Sequence, residues 1–264
     1  MDQNAMMETD MLIVVDQNDV VQNGVIASKK EAHTFGTDSP RGTLHRAFSF
    51  FLFNKEAELL LTRRADSKIT FPGVWTNTAC SHPLQGMIPD EVDQVPAAYP
   101  EFPKTKVAVT RKLQQELGIV PSDIPHDKIA FVSRFHYWAA DTVTYGDSPP
   151  WGEHEVDYIF FIQVDEEPSL DINPDEVAEY KYVSSEELRS MFDDPALKWS
   201  PWFLGIMERG GFKWWEDLEG TLQGKHTTDK VEFFDPPKEH FAAFNLPSHS
   251  RLTGVHSASS AENK

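Results

Sequence analysis

The sequence is poor in cysteine, in positive charge and in long apolar runs, and each shortage excludes something. Cys80 is the one cysteine among 264 residues, so no intrachain disulfide can form and a reducing compartment is expected. No stretch approaches the roughly 18 consecutive apolar residues that a spanning helix needs. The longest runs, around Ala47–Phe53 and Tyr158–Ile162, are strand-sized. Lys and Arg number 24 against 42 Asp and Glu, a formal net charge of −18. A surface that acidic repels nucleic acid and anionic membranes, so neither is an expected partner. Acids at Asp2, Glu8 and Asp10 make the N-terminus unlike a signal or transit peptide, and the expectation is a cytoplasmic protein. What the chain has in quantity is material for a core. Hydrophobic residues make up 40% and aromatics 12%, which excludes wholesale disorder.

Strand and helix signals mix without strict alternation, which predicts an α+β sandwich. Met11–Val15 and Val20–Ile26 read as a hairpin around the polar turn Asp16–Asp19. A Gly/Ser/Pro-containing loop, His33–Gly42, leads into the apolar strand Leu44–Phe53, and Leu59–Thr62 returns. Thr70–Pro83 reads as an ordered loop, and Gln85–Lys106, with Pro89, Pro96, Pro100 and Pro103, as a surface excursion. Helical spacing over Lys106–Leu117 closes on Gly118 as a C-cap. Ile129–Ala139 and Val156–Val164 are expected strands, as is Tyr180–Val183. Ser184 with Glu187 predicts a capping box for a helix to Phe192, and Trp202–Arg209 a helix ended by Gly210–Gly211. The Ser/His/Asn-rich tail from about Leu246 reads as disordered.

Three groups of residues bear on chemistry. Cys80 sits two residues before His82 in a proline-bounded loop, where a thiol is a nucleophile, an acid/base, a metal ligand or simply a small buried side chain. Glu153 and Glu155, two apart at the start of a strand, present their carboxylates to one side. That pairing calls for a cation or a proton between them, or else marks a solvated acidic edge. His33, His45 and His82 with those two glutamates would suit a borderline ion such as Zn²⁺ or Mn²⁺, although ten histidines make the spacing alone unspecific. The scarce cations cluster beside these candidates, as Lys29 and Lys30, Arg63, Arg64 and Lys68, and Arg111 and Lys112. They are either a phosphate-binding set or ordinary surface charge.

Taken together, these stretches resemble the type I isopentenyl-diphosphate isomerases of the Nudix-like superfamily. The resemblance rests on LHRAFSFFLFN at 44–54, LTRRADSK at 61–68, FPGVWTNTACSHP at 71–83, RKLQQELG at 111–118, WGEHEVDY at 151–158 and SPW at 200–202, and covers roughly residues 10–215. The long 85–106 loop is like the eukaryotic branch. The resemblance implies an α/β/α sandwich with a mixed central sheet: residues 1–43 as an N-terminal hairpin and metal-site loop within a single domain, 44–215 as the catalytic core, and 216–264 as an extension. Nudix hydrolases carry Arg-Glu-x-x-Glu-Glu-x-Gly on their catalytic helix. Here Lys112 and Gln115 replace two of those glutamates and Glu116 remains, which speaks against a multi-metal hydrolysis of nucleotides. The intact Cys80, Glu153 and Glu155 speak against a catalytically silent binding member.

By this resemblance the protein interconverts isopentenyl and dimethylallyl diphosphate in isoprenoid synthesis. A proton is delivered to an unactivated alkene and another removed from the opposite face, through a tertiary carbocation. Cys80 and Glu155 would be that acid/base pair, Tyr137 would position or relay the proton, and Trp202 would face the cation. His33, His45, His82, Glu153 and Glu155 would hold a divalent ion, Zn²⁺, Mn²⁺ or Mg²⁺. Lys29, Arg64, Lys68 and Lys112 would hold the diphosphate, with a Mg²⁺ on Glu116. Lys112 stands where bacterial relatives have an arginine, so one bidentate contact is weaker here. The expected partner is a small-molecule diphosphate, and the expected state a monomer.

Overall fold

The apolar run that ends at Phe53 becomes a strand buried along its whole length, and the sheet is built around it. In the computed structural model, which describes residues 3–36 and 41–234, β3 (His45–Phe53) alternates its side chains between two cores. Phe48, Phe50 and Leu52 face one cluster, and Phe51 and Phe53 the other. β8 (Gly152–Gln163) runs parallel to β3 from His45 opposite Glu155 to Phe53 opposite Gln163. β7 (Ala130–Ala140) lies antiparallel on the far side of β8, and β10 (Val231–Phe233) adds parallel to β7. On the other flank β1 (Met11–Val15) meets β3, and β2 (Val21–Ser28) forms the edge. β4 (Leu59–Arg64) pairs with β9 (Val177–Val183) and with β5 (Trp75–Thr76). β6 (Ala79–Ser81) lies antiparallel on β3, setting Cys80 opposite Ser49.

Helices cover both faces of this mixed sheet, so the α/β/α sandwich is present. α1 (Gln3–Thr9) and α2 (Lys29–His33) flank the N-terminal hairpin. α3 (Pro103–Leu117) buries Ala108, Val109, Leu113 and Leu117 against one face. α4 (Thr142–Tyr145) is a single turn after β7. On the opposite face lie α5 (Ser185–Phe192), α6 (Pro201–Ile206), α7 (Phe212–Glu216) and α8 (Leu218–Leu222). Among the described residues no helix is long and apolar enough to cross a membrane.

Several sequence expectations change in detail. His33 is not in a loop: Ser28 and Glu31 form a capping box that starts the short α2, and His33 is its last residue. The loop at 70–83 contains β5 and β6. α3 begins at Pro103, three residues early, because proline is compatible with a helix's first turn; Gly118 closes it at φ 70° as expected. Gly210 and Gly211 do not end a helix. The chain continues through a π-turn, Met207–Gly211, into α7. There a Cβ on Gly210 would strike the Trp214 ring, so this glycine makes room for an aromatic rather than capping. The 85–102 segment has little regular structure, as expected, but is tied down by acids that are 1% exposed. Glu91 accepts from the Arg111 guanidinium at 2.6 and 2.9 Å, and Asp93 from the Thr105 amide at 2.8 Å. The tail beyond residue 246 lies outside the described residues.

Candidate active site

Period-two geometry on β8 sets Glu153, Glu155 and Asp157 on one side of the sheet and turns His154 away. His154 meets His136 instead, Nε2 to Nε2 at 3.1 Å. The parallel register with β3 brings His45 beside Glu155, and the antiparallel register with β7 adds Tyr137. The end of α2 supplies His33, and the chain leaving β6 supplies His82. One ligand atom from each of His33, His45, His82, Glu153 and Glu155 lies within 4.8 Å of all the others, and all five residues are buried.

The tautomers follow from the partners. His33 Nδ1 donates to the Lys29 carbonyl at 2.7 Å, and His45 Nδ1 to the Thr43 carbonyl at 2.7 Å. A carbonyl only accepts, so each Nδ1 carries a hydrogen and each Nε2 is turned toward the cluster. Burial, followed by the neighbouring His45 and His33, holds His82 well below the usual imidazole range. His33 Nε2 and Glu153 Oε2 stand 2.6 Å apart, yet neither makes a hydrogen bond. Glu155 accepts from Tyr137 at 2.5 Å, with His82 Nε2 at 2.9 Å and His45 Nε2 at 3.6 Å. Imidazole nitrogens facing carboxylates, with His33 Nε2, His45 Nε2 and Glu153 Oε2 buried and without a hydrogen-bond partner, fit a divalent ion.

The cluster forms one wall of a cleft with about 430 Å³ of atom-free space, part of it open to solvent. Cys80, Glu155, Tyr137 and Trp202 line it together with Lys29, Arg64, Lys68, Lys112 and Glu116. Eleven of the thirteen residues singled out as site candidates from resemblance line this cleft, and the other two, His33 and His45, join it through the five-residue cluster; Glu116 is not part of that cluster and pairs with Lys112 at 2.9 Å. The Cys80 sulfur has the Arg64 guanidinium 3.9 Å away and the Thr76 hydroxyl at 4.0 Å. The surroundings of this half-buried thiol push it up to about 12, desolvation outweighing the pull of Arg64. Burial and then Glu155 likewise push the Tyr137 phenol up.

Trp202 is held by its flanks. Ser200 donates its amide to the Trp75 carbonyl at 2.9 Å, and its hydroxyl meets that of Thr76 at 2.8 Å. Phe71 stands edge-on to the indole at 5.3 Å, and the Arg64 guanidinium lies 5.7 Å from its centre. At the other end, burial and then Arg64 and Lys29 press the Lys68 ammonium down to about 8. Lys112 goes the other way, because Glu116 and Glu176 outweigh its burial. The remaining cations of the motif face elsewhere: Lys30 pairs with Glu8, Arg63 with Asp66 and Glu179, and Arg111 with Glu91.

Four contributors had no assigned role in the sequence. Asp157 continues the Glu153, Glu155 alternation, which is a legible signal, and accepts from Ser49 at 2.7 Å. Phe234 stacks on Tyr137 at 5.1 Å, so a residue outside every motif backs the site. Asp141 accepts the Phe71 amide at 2.8 Å and so holds a residue whose φ is 48°. Glu176 meets Lys68 in a close ion pair, and nothing distinguishes it in the sequence among 42 acids.

Fold and cleft together define a Nudix-class protein, and residues 43–203 match the NUDIX domain family. Within that class the chain is 46% identical over 216 residues to the isopentenyl-diphosphate delta-isomerase of Schizosaccharomyces pombe, covering 80% of this chain and 85% of that one. It is 40% identical to isopentenyl-diphosphate delta-isomerase 1 of Bos taurus, over 79% and 86% of the two chains. With isopentenyl-diphosphate delta-isomerase I, chloroplastic, of Arabidopsis thaliana it shares 42% over 83% and 72%. The chain belongs to the isopentenyl-diphosphate delta-isomerase family.

Proposed function

We propose that this protein interconverts isopentenyl and dimethylallyl diphosphate, with Cys80 and Glu155 as its acid/base pair. The observation that carries the reading is one cleft lined by both groups, with an indole beside them and a cluster of cations at one end. One of the pair adds a proton to the terminal methylene of the alkene, leaving a tertiary cation at the branched carbon. The other removes a proton from the methylene that lies between the branched carbon and the diphosphate-bearing carbon, and the C–H electron pair forms the new double bond between that methylene and the branched carbon. The reverse reaction exchanges the roles.

Tyr137, at 2.5 Å from Glu155, orients that carboxylate and offers it a proton path. Trp202 presents its π face to the cation, an attraction worth about 2 kcal/mol in a desolvated pocket. Lys29, Arg64, Lys68 and Lys112 bind the diphosphate, and Glu116 would hold a Mg²⁺ that offsets the diphosphate's charge. His33, His45, His82, Glu153 and Glu155 would hold a divalent ion, with Zn²⁺ or Mn²⁺ best suited to the nitrogen ligands and Mg²⁺ less so. When bound, that ion polarises the Glu155 carboxylate and neutralises the paired acids.

Lys112 and Gln115 stand where a Nudix hydrolase needs glutamates, and both are engaged, Lys112 with Glu116 and Gln115 with Glu176 at 3.4 Å. Incubation with isopentenyl diphosphate in deuterated water tests the reading. Deuterium in the isomerised product is expected; release of phosphate without deuterated product overturns it.

A further inference from the structure

The cation end of the cleft is organised by an acid that does not line the cleft. Glu176, the residue before β9, is 3% exposed. Its carboxylate pairs closely with Lys68 and accepts from Gln3 of α1 at 3.1 Å and Gln115 of α3 at 3.4 Å. Its carbonyl accepts the Ala65 amide at 3.0 Å, which fastens the segment between Arg64 and Lys68, and its own amide is anchored on the Asn173 carbonyl at 2.9 Å. The lysines act on it in turn: Lys68 and then Lys112 overcome its burial and bring it down to about 2, so it is an anion under all ordinary conditions. Lys68 and Glu176 both lie below their usual ranges without contradiction. The acid feels several cations, and Lys68 feels burial and the like charges of Arg64 and Lys29.

An acid this close to an anion site has two opposite possible effects. As a bare charge it repels the incoming diphosphate. As an anchor it fixes ammonium groups that would otherwise swing apart or discharge, and so strengthens binding. Its hydrogen bonds to three separate parts of the chain favour the anchor, because a charge needs no such scaffold to repel.

We infer that Glu176 is a positioning residue that holds Lys68, and through Gln115 the helix bearing Lys112, in the arrangement that receives the diphosphate. This rests on the isomerase reading of that end of the cleft. The test is calorimetric titration of metal-loaded protein with inorganic pyrophosphate, with steady-state kinetics on isopentenyl diphosphate. For Glu176→Gln, which keeps the shape and removes the charge, the pyrophosphate Kd and the substrate KM are expected to rise about tenfold. kcat should stay within about threefold, and metal content should be unchanged. Glu176→Asp, which keeps the charge and shortens its reach, should raise KM by about threefold, and serves where the first variant does not fold. Pyrophosphate binding as tight as wild type or tighter in Glu176→Gln, an unchanged KM in Glu176→Asp, or a loss confined to kcat overturns the inference alone. Wild-type protein that does not bind pyrophosphate overturns the diphosphate reading of this end, and the inference with it.

Discussion

At one end of the cleft three imidazoles and two carboxylates converge within 4.8 Å, and among the described residues Glu153 meets His33 while Glu155 meets His45, His82 and Tyr137. At the other end Lys68 and Lys112 are already laced to Glu176 and Glu116. The first end is a cluster of ligand atoms in which His33 Nε2, His45 Nε2 and Glu153 Oε2 are buried without a hydrogen-bond partner. The second has its own counter-ions and keeps a surplus of cations in a chain whose formal charge is −18. The difference teaches that burying charge has two outcomes here. One is a cluster of donors that fits a divalent ion; the other is a set of cations already held in place by acids. Cys80 lines the same cleft, with the Arg64 guanidinium at 3.9 Å.

The sharpest way to break this division is at the thiol. Cys80→Ala should lower turnover by roughly 10³-fold, the scale of a lost acid/base group, while the melting transition stays close to wild type. Near-normal kcat would remove Cys80 from the chemistry. At the ligand end, Glu153→Gln removes one donor of the set and should drop bound divalent metal from about one ion per chain to well below that, measured by elemental analysis. Unchanged metal content would mean that the convergence of ligands is not a metal site.

A smaller effect is expected at the indole. Trp202→Leu keeps an apolar wall and loses the π face, so kcat should fall about 30-fold, the equivalent of about 2 kcal/mol, with KM little changed. The smallest effect sharpens the cation end. Lys68 attracts an anion only when protonated, and its ammonium lies down at about 8 rather than in the ordinary lysine range. Pyrophosphate affinity should therefore be fully present below that value and weaken by a few fold as pH rises through it, and the step should vanish in Lys68→Gln. Calorimetry at pH 7 and pH 9 checks this. A bound anion draws the midpoint upward, so the step falls at higher pH in the complex than in the free protein.

Motif order and periodicity carried much of the site. The Glu153, Glu155, Asp157 alternation holds because side chains on a strand alternate whatever the tertiary context. Lys112 and Glu116 share a helix face for the same kind of local reason, being four residues apart. Gly118 caps α3 because a left-handed residue is needed there, a demand the sequence states directly. Local rules failed where packing overrode them. Gly210 looked like a helix end and is instead the seat of a tryptophan ring. His33 looked like a loop residue and is the last residue of a five-residue helix, too short for any periodic pattern to show.

By itself the chain's sequence determined which chemical groups are available, which of them share a strand or helix face, and that their charge is concentrated against an acidic background. Only the tertiary structure decided which ring nitrogens of His33 and His45 face inward, that Glu176 rather than any other acid meets Lys68, and that Phe234 backs Tyr137. The physical reason is one of range. Backbone periodicity acts over a few residues, whereas Glu176 and Lys68 lie 108 residues apart in the chain and meet only because β4 and β9 pair.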